Sequence, residues 1–139
     1  MDDLKRVLFV CVENANRSQM AEAFARMLGG DRVEAYSAGS RPSGRVNPKA
    51  VAAMQSFGYD LTTHGSTSLD DLPKVEFDAV VTMGCGDACP HIPAHSRADW
   101  ALPDPRDMSP DAYREVCNTI RDRVNELLSG LGVVVAKID

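Results

Sequence analysis

A buried strand that runs through a short loop into a helix is the pattern that most constrains this chain. The apolar run 7–12 carries Cys11 near its end. Arg17 follows that cysteine after five intervening residues, Ser18 comes next, and the apolar residues beyond them recur at helical spacing. A continuous apolar run of this kind is typical of a strand buried in a parallel sheet. The stretch therefore predicts a strand–loop–helix unit with a cysteine at the strand's carboxyl end.

Strand and helix patterns alternate along the rest of the chain. Four runs have the composition of strands: residues 6–12, 33–38, 77–83 and 97–101. Helical patterns follow or separate them: residues 18–28, 48–58, a short one at 66–72, and a long one from 110 to 128. This alternation predicts an α/β fold, a single three-layer α/β/α domain with a four-stranded parallel sheet. In such sheets the binding site lies at the carboxyl ends of the strands.

Length and charge limit the possible functions. With 139 residues the chain is expected to form one domain, 1–139, in which the tail 132–139 could extend a strand or be irregular. The net charge of −5 argues against a nucleic acid partner. No apolar run approaches the ~20 residues that span a bilayer, and the N-terminus lacks a signal-peptide plan. We expect a cytoplasmic protein that acts as a monomer.

The loop after Cys11 is expected to bind a tetrahedral oxyanion. A tight loop that enters a helix points several backbone N–H groups inward, and the helix dipole favours negative charge there. Arg17 adds a guanidinium that can hold two oxygens of the anion. The same donors stabilise a thiolate at Cys11, to which Ser18 can donate its hydroxyl. The other loop residues expected around the anion are Val12, Glu13, Asn14, Ala15 and Asn16. The alternative is a buried strand cysteine followed by a solvated arginine.

Asp104 follows the fourth predicted strand, between Pro103 and Pro105. Attack by a cysteine thiolate on phosphorus or arsenic requires a proton donor for the departing oxygen. The flanking prolines stiffen the loop and fix how far the aspartate reaches. Asp104 is therefore the candidate general acid, the alternative being an ordinary turn aspartate.

Cys85 and Cys89 form a second thiol pair, with three residues between them, directly after the third predicted strand. In a reducing compartment, cysteines are more often catalytic, redox-active or metal-binding than structural. The pair could close a small disulfide or bind a metal with His91 and His95, and two incidental loop cysteines are a further alternative. A redox relay is the favoured interpretation.

Three other residues have structural interpretations. Cys117 lies on the apolar face of the last helix and is expected in the core. Trp100 is expected to pack beside the Asp104 loop. His64, like His91 and His95, is expected at the surface.

Taken together, these motifs resemble the arsenate reductases built on the low-molecular-weight tyrosine-phosphatase fold. The resemblance covers nearly the whole chain. Residues 10–18 alone are typical of the phosphatase superfamily, whereas the continuation at 18–22 and the second thiol pair point to arsenate reductases. The other matching stretches are 36–39, 46–50, 81–85, 89–90 and 100–105.

The resemblance implies a mechanism for these residues. Cys11 would attack arsenate held by the loop and Arg17, while Asp104 protonates the departing water. Cys85 would attack the Cys11–arsenic adduct, which releases arsenite and forms a Cys11–Cys85 disulfide. Cys89 would convert this to a Cys85–Cys89 disulfide that thioredoxin reduces. Glutaredoxin or a low-molecular-weight thiol is the alternative electron donor, and no cofactor or resident metal is implied.

Some relatives bind a potassium ion near the loop. Asn14, Glu22 and Ser37 match three of those ligand positions, but the aspartate expected near Thr67 is missing. We therefore assign no ion to this place.

Two other functions compete with arsenate reduction. A tyrosine phosphatase would need only Cys11, Arg17 and Asp104, but phosphatases of this family usually carry tyrosines after the Asp-Pro pair. Arg106 and Asp107 follow it here, which disfavours a phosphotyrosine substrate while leaving weak phosphatase activity plausible. A protein that binds metal or arsenite through the second thiol pair would leave the Cys11 loop unexplained.

Overall fold

Four parallel strands form the sheet of the computed structural model, which describes residues 4–83 and 92–136. Their order across the sheet is β2 (Val33–Gly39), β1 (Lys5–Cys11), β3 (Phe77–Thr82) and β4 (Ala94–Asp99). The predicted four-stranded parallel sheet is confirmed. Cys85, Cys89 and His91 lie outside the described residues.

The strand order places the end of β1 at a topological switch point. From β1 the chain first crosses to β2 on one side and later returns to β3 on the other side. The pairing of β1 with β2 runs from Lys5 with Val33 to Cys11 with Gly39, so the two strands end together. In open parallel sheets the crevice for a ligand forms where the strand order reverses, outside the carboxyl ends. Cys11 is the last residue of β1 and lies at this crevice.

Three α-helices follow the strands in the described part of the chain: α1 (Arg17–Gly29), α2 (Pro48–Gln55) and α3 (Pro110–Gly130). The local sequence explains where two of them begin. Asn47 Oδ1 accepts the N–H of Lys49 at 2.8 Å, and Ser109 Oγ accepts the N–H of Ala112 at 3.2 Å. A proline occupies the first turn of each of these helices, where its missing N–H costs nothing. No helix in the described ranges is long and apolar enough to cross a membrane.

Both faces of β1 are buried, as its continuous apolar sequence predicts. Val7 and Phe9 point to the face covered by the helices, where α1 and α3 pack against each other. Leu8 and Val10 point to the other face, which in the described residues is covered by the short 3-10 turn Leu69–Asp71 and the segments beside it.

The last strand begins three residues and ends two residues earlier than the sequence predicts, at Ala94–Asp99 rather than 97–101. β4 is an edge strand and most of its side chains are exposed, so it lacks the apolar pattern that marks a buried strand. Trp100 follows the strand. Its N–H donates to Thr82 O at 2.8 Å and its ring packs on Phe9, with centroids 5.9 Å apart. The indole is therefore a core residue at the start of the Asp104 loop, as predicted.

Helix α2 and the tail also differ in detail from the prediction. The helix ends at Gln55, and the next residues form i→i+3 hydrogen bonds up to Gly58, whose φ is +83°. Within the described part of the tail, Val133 is buried and the Ala136 N–H donates to Leu28 O at 2.9 Å. These tail residues pack against the helical layer and form no strand up to residue 136.

Gly39 is the residue at the end of β2 that comes closest to the loop after Cys11. A Cβ at this position would lie 2.4 Å from Val12 O and 2.9 Å from both Asn14 N and Cys11 O. All three atoms belong to the backbone, so none can rotate away. Only glycine allows the two chain segments to approach this closely.

We expect the substitution Gly39→Ala to lower the free energy of unfolding by about 1–3 kcal/mol, the usual effect of overpacking a tight contact. Urea denaturation followed by circular dichroism measures the change. Gly65→Ala is the matched control, because a Cβ at Gly65 meets nothing within 4 Å. An unchanged midpoint for Gly39→Ala, or equal losses for both variants, would contradict this account.

Candidate active site

A cavity of about 210 Å³ opens at the carboxyl end of β1. It brings together Cys11, Arg17 and Asp104, the three site residues predicted from separate parts of the chain. Glu13 and Arg106 complete its rim. The full lining is Cys11, Val12, Glu13, Ala15, Asn16, Arg17, Asp104 and Arg106.

Cys11 Sγ lies 2.8 Å from Ser18 Oγ, and the cysteine is only 5 % exposed. Asn14 Nδ2 donates to the same serine oxygen at 2.8 Å. Because Ser18 Oγ already accepts a hydrogen bond from Asn14, its own proton is free to point at the sulfur. The geometry is that of a hydroxyl ready to stabilise a thiolate.

Asn14 shapes the loop from within. It is fully buried and has a φ of +50°, a left-handed conformation that asparagine adopts more readily than most residues. Its Oδ1 accepts from Gln19 Nε2 at 2.9 Å and from the Thr67 N–H at 2.8 Å. With the bond to Ser18, the side chain is held by three partners, so the loop keeps its bend without an anion.

A second loop holds the first from outside. We call residues 40–47 the strap, since three of its backbone N–H groups donate to carbonyl groups of the Cys11 loop. The bonds run from Arg41 to Val12 at 2.8 Å, from Ser43 to Glu13 at 3.0 Å and from Asn47 to Ala15 at 3.0 Å. In a planar trans peptide unit the C=O and N–H point in opposite directions. Turning these carbonyls outward therefore turns the N–H groups that follow them toward the cavity.

Arg17 and Asp104 meet at the cavity from opposite sides. Arg17, the first residue of α1, donates from Nη1 to Leu102 O at 2.8 Å. This bond ties the guanidinium to the loop that carries Asp104. Asp104 Oδ1 accepts the N–H of Arg106 at 3.0 Å, a bond that fixes the carboxylate at the rim.

Arg106 is a rim residue that was not among the predicted site residues. Its guanidinium lies 3.7 Å from the Glu13 carboxylate and 4.0 Å from that of Asp104. Its carbonyl accepts a hydrogen bond from Lys49 Nζ at 2.6 Å. The single positive charge of Arg106 thus lies between the carboxylates of Glu13 and Asp104 and reduces their repulsion of an incoming anion. Its place after the Asp-Pro pair was the available sequence signal.

The expectation that His64 lies at the surface is wrong. Its side chain is 6 % exposed, with Nδ1 at 2.9 Å from Gln19 Oε1 and Nε2 at 2.6 Å from Tyr59 OH. Burial lowers the pKa of His64 below its ordinary value, the Glu22 carboxylate opposes that shift, and Arg26 adds to it. Because Gln19 also binds Asn14, the buried imidazole is linked through hydrogen bonds to the Cys11 loop. The partners come from distant segments, so no local pattern marks this burial. The other described histidine, His95, is exposed as expected.

The residues around Glu22 do not fit a resident potassium ion. Glu22 accepts from Ser37 Oγ at 2.6 Å through one carboxylate oxygen and from Arg26 Nε at 2.9 Å through the other. Asn14 Oδ1 already accepts two hydrogen bonds, one of them from Thr67. Since Arg26 neutralises the carboxylate, no step of the chemistry below uses an ion. Over residues 4–83 and 92–136, no group of three His, Cys, Asp or Glu side chains could hold a metal.

Cys117 is a core residue, as predicted. It is fully buried in α3, with Sγ 3.4 Å from Met20 Sδ. Burial raises the pKa of the Cys117 thiol to about 11, so this sulfur stays protonated and unreactive at neutral pH.

His64 makes stability depend on pH in a defined direction. Its pKa is lower in the folded than in the unfolded chain, so the unfolded chain takes up a proton first as the pH falls below about 6.5. We expect the free energy of unfolding to decline below that pH, and to decline less in the variant His64→Gln. Urea denaturation at a series of pH values tests this. Parallel curves for the two proteins would contradict the assignment, because every other titrating group is common to both.

Comparison with known proteins agrees with this geometry. The family model described as "Low molecular weight phosphotyrosine protein phosphatase" matches residues 6–137. The chain is 35% identical over 129 residues to a glutaredoxin arsenate reductase from Synechocystis sp., covering 91% of this chain and 98% of that protein.

Solved structures give the same result. An arsenate reductase in a phosphate-binding state superposes with a TM-score of 0.82 at 34% identity, covering 91% of this chain and 98% of the other. A thioredoxin-dependent arsenate reductase from Corynebacterium glutamicum gives a TM-score of 0.78 at 34% identity, covering 94% of this chain and 63% of that one. The cavity at Cys11 and these similarities show that the chain belongs to the low-molecular-weight phosphotyrosine protein phosphatase family, in its arsenate reductase branch.

Proposed function

We propose that this protein reduces arsenate to arsenite by a thiol relay that begins at Cys11. The observation that carries the proposal is the buried Cys11 sulfur, which shares a small cavity with Arg17, Asp104 and the inward-facing loop. Relatives about 35% identical over most of both chains are named as arsenate reductases. The role is thus that of an enzyme of arsenic detoxification.

The first step joins Cys11 to arsenic. The loop N–H groups and Arg17 hold three arsenate oxygens and accept the charge that develops on them. The Cys11 thiolate attacks arsenic, an S–As bond forms, and one As–O bond breaks. Asp104 supplies the proton with which that oxygen leaves as water. Ser18 stabilises the thiolate before attack through its 2.8 Å contact.

The second step moves two electrons to arsenic. The Cys85 thiolate attacks Cys11 Sγ, an S–S bond forms, and the electron pair of the S–As bond passes to arsenic, which leaves as arsenite. Cys89 then attacks Cys85, which frees Cys11 and leaves a Cys85–Cys89 disulfide. The described residue Met83 supports the proposed approach of Cys85 to Cys11, because its N–H donates to Val10 O at 2.9 Å. The chain therefore enters the Cys85 segment beside the strand that carries Cys11.

The electron donor belongs to the proposal as well. We assign it to thioredoxin, with glutaredoxin or a low-molecular-weight thiol as the alternative. The similar protein from Corynebacterium glutamicum is named as thioredoxin-dependent, and the one from Synechocystis as a glutaredoxin arsenate reductase. Such donors keep thiols reduced in the cytoplasm, which is the proposed compartment. The proposed unit is a monomer. It has one domain over residues 1–139, and a family match over residues 6–137 supports the single domain.

A phosphotyrosine substrate fits the cavity less well. Its described lining holds no aromatic side chain that could grip a phenyl ring, and Arg106 and Glu13 face each other 3.7 Å apart across the rim. A small oxyanion needs no aromatic side chain in the lining, and it can bind without separating Arg106 from Glu13. Slow hydrolysis of small phosphate esters is still expected, because phosphate and arsenate share shape and charge.

We expect single serine substitutions at the four cysteines to separate the steps. Cys11→Ser and Cys85→Ser should abolish turnover, because each removes a sulfur that the transfer of electrons requires. Cys89→Ser should release at most one arsenite per enzyme, since without Cys89 the Cys11–Cys85 disulfide cannot be converted to a Cys85–Cys89 disulfide. Cys117→Ser is the control and should keep turnover, because its thiol is buried far from this chemistry. Oxidation of NADPH coupled through thioredoxin and its reductase measures each rate.

Several results of that assay would overturn parts of the scheme. Turnover in Cys11→Ser would overturn the scheme as a whole. Full turnover in Cys89→Ser would exclude the three-cysteine relay and favour a small-thiol donor. Replacing thioredoxin with glutaredoxin and glutathione in a parallel assay identifies the donor. Stoichiometric metal in the reduced protein would favour metal binding through the second thiol pair.

The substitution Asp104→Asn tests the proton donor. Asparagine keeps an oxygen that can accept from the Arg106 N–H, but its amide protons are not acidic enough to be transferred to a leaving oxygen. We expect kcat to fall by about 10²–10⁴-fold, the usual contribution of a general acid, with little change in phosphate affinity. Steady-state kinetics and phosphate binding by calorimetry measure the two quantities. An equal kcat would exclude Asp104 as the acid.

A further inference from the structure

The residue before α1 has an unused capping side chain. Asn16 occupies the N-cap position, where asparagine is among the most favourable residues, because its side-chain oxygen can accept an N–H of the first turn. Here Asn16 makes no side-chain capping bond. The first helical bond is from the Met20 N–H to Asn16 O at 3.0 Å. The N–H groups of Arg17, Ser18 and Gln19 precede this bond and therefore have no acceptor within the helix.

Tyr113 holds the side chain that would otherwise form the cap. Its hydroxyl donates to Asn16 Oδ1 at 2.6 Å, across 97 residues of sequence, and both residues are buried. The tyrosine lies in the first turn of α3, which Ser109 and Pro110 start at a fixed place. Burial raises the pKa of Tyr113 well above its ordinary value, so the hydroxyl remains a donor at any working pH.

We propose that Tyr113 is a positioning residue for the oxyanion site. By binding Asn16 Oδ1 it keeps this amide from capping α1 and so reserves the first-turn N–H groups for the substrate anion. Asn16 also lines the cavity, so a rotation of its amide onto the helix end would place a competing acceptor where the anion binds. The inference rests on the proposed function only in naming arsenate as the anion, since any tetrahedral oxyanion would meet the same N–H groups.

The variant Tyr113→Phe removes the hydroxyl and keeps the ring. We expect its dissociation constant for inorganic phosphate to rise about fivefold, the factor that corresponds to one N-cap hydrogen bond. The KM for arsenate should rise by a similar factor while kcat at saturation changes little. Calorimetric titration of the reduced protein with phosphate measures the first quantity without any turnover. Tyr36→Phe is the matched control, because it loses an equally short 2.6 Å bond, to Glu34, away from the cavity.

A double substitution shows whether the effect passes through Asn16. In an Asn16→Ala background no amide is left to compete, so adding Tyr113→Phe should change phosphate affinity by less than about twofold. A loss as large as in the parent protein would overturn the proposal, because it would show a structural role for the hydroxyl. Phosphate affinity unchanged in the single variant would overturn it as well.

A second pair of variants leaves Tyr113 intact. Asn16→Ser introduces a strong capping residue whose side chain is shorter than that of asparagine, whereas Asn16→Ala introduces none. We expect Asn16→Ser to bind phosphate more weakly than Asn16→Ala, and the reverse order would overturn the proposal. If phosphate binding follows these expectations while arsenate is not reduced, the proposed function fails and this inference stands.

Discussion

The outward-facing carbonyl groups of the Cys11 loop are the constraint on which the site depends. A peptide unit cannot aim its N–H at an anion without sending its C=O the other way. Those carbonyls then need donors, because a buried polar group without a partner costs about 1–3 kcal/mol. The strap at 40–47 supplies the donors to Val12, Glu13 and Ala15. Gly39, which leads into the strap, has to lack a Cβ because it lies against the same loop.

Hydrogen bonds behind the loop complete this arrangement. Asn14 is bent into a left-handed conformation and tied to Ser18, Gln19 and the Thr67 N–H. His64 extends the network by binding Gln19. Among the described residues no buried side-chain nitrogen or oxygen lacks a partner, and a fully satisfied network of this kind is rigid. The loop is therefore preorganised, so little reorganisation is needed when charge develops on the bound oxyanion.

The fold could be predicted from the sequence because its signals are local. Buried strands and capped helices leave periodic patterns and end in identifiable residues, and the carboxyl ends of the strands then locate Cys11 and Asp104. The predicted bounds of the edge strand β4 differ from the observed ones because its exposed side chains carry no such pattern. The contacts of the strap could not be predicted, since they use backbone N–H groups, which nearly every residue type has. His64 and Tyr113 escaped for another reason, because their partners lie on segments that only the folded chain brings together.

Charge at the cavity resolves an apparent conflict with the net charge of −5. Two carboxylates, on Glu13 and Asp104, stand at the rim and would repel a dianion. Arg106 lies 3.7 Å from one and 4.0 Å from the other, so its single positive charge cancels half of the negative charge at the rim. Arg17 binds a neutral carbonyl, that of Leu102, and keeps its full charge for the substrate. When an anion enters, Arg17 can exchange that acceptor for two charged oxygens, which the planar guanidinium holds as a bidentate, charge-assisted pair. The attraction is thus concentrated beside the thiolate, while Asp104 remains at the rim, where the departing oxygen needs its proton.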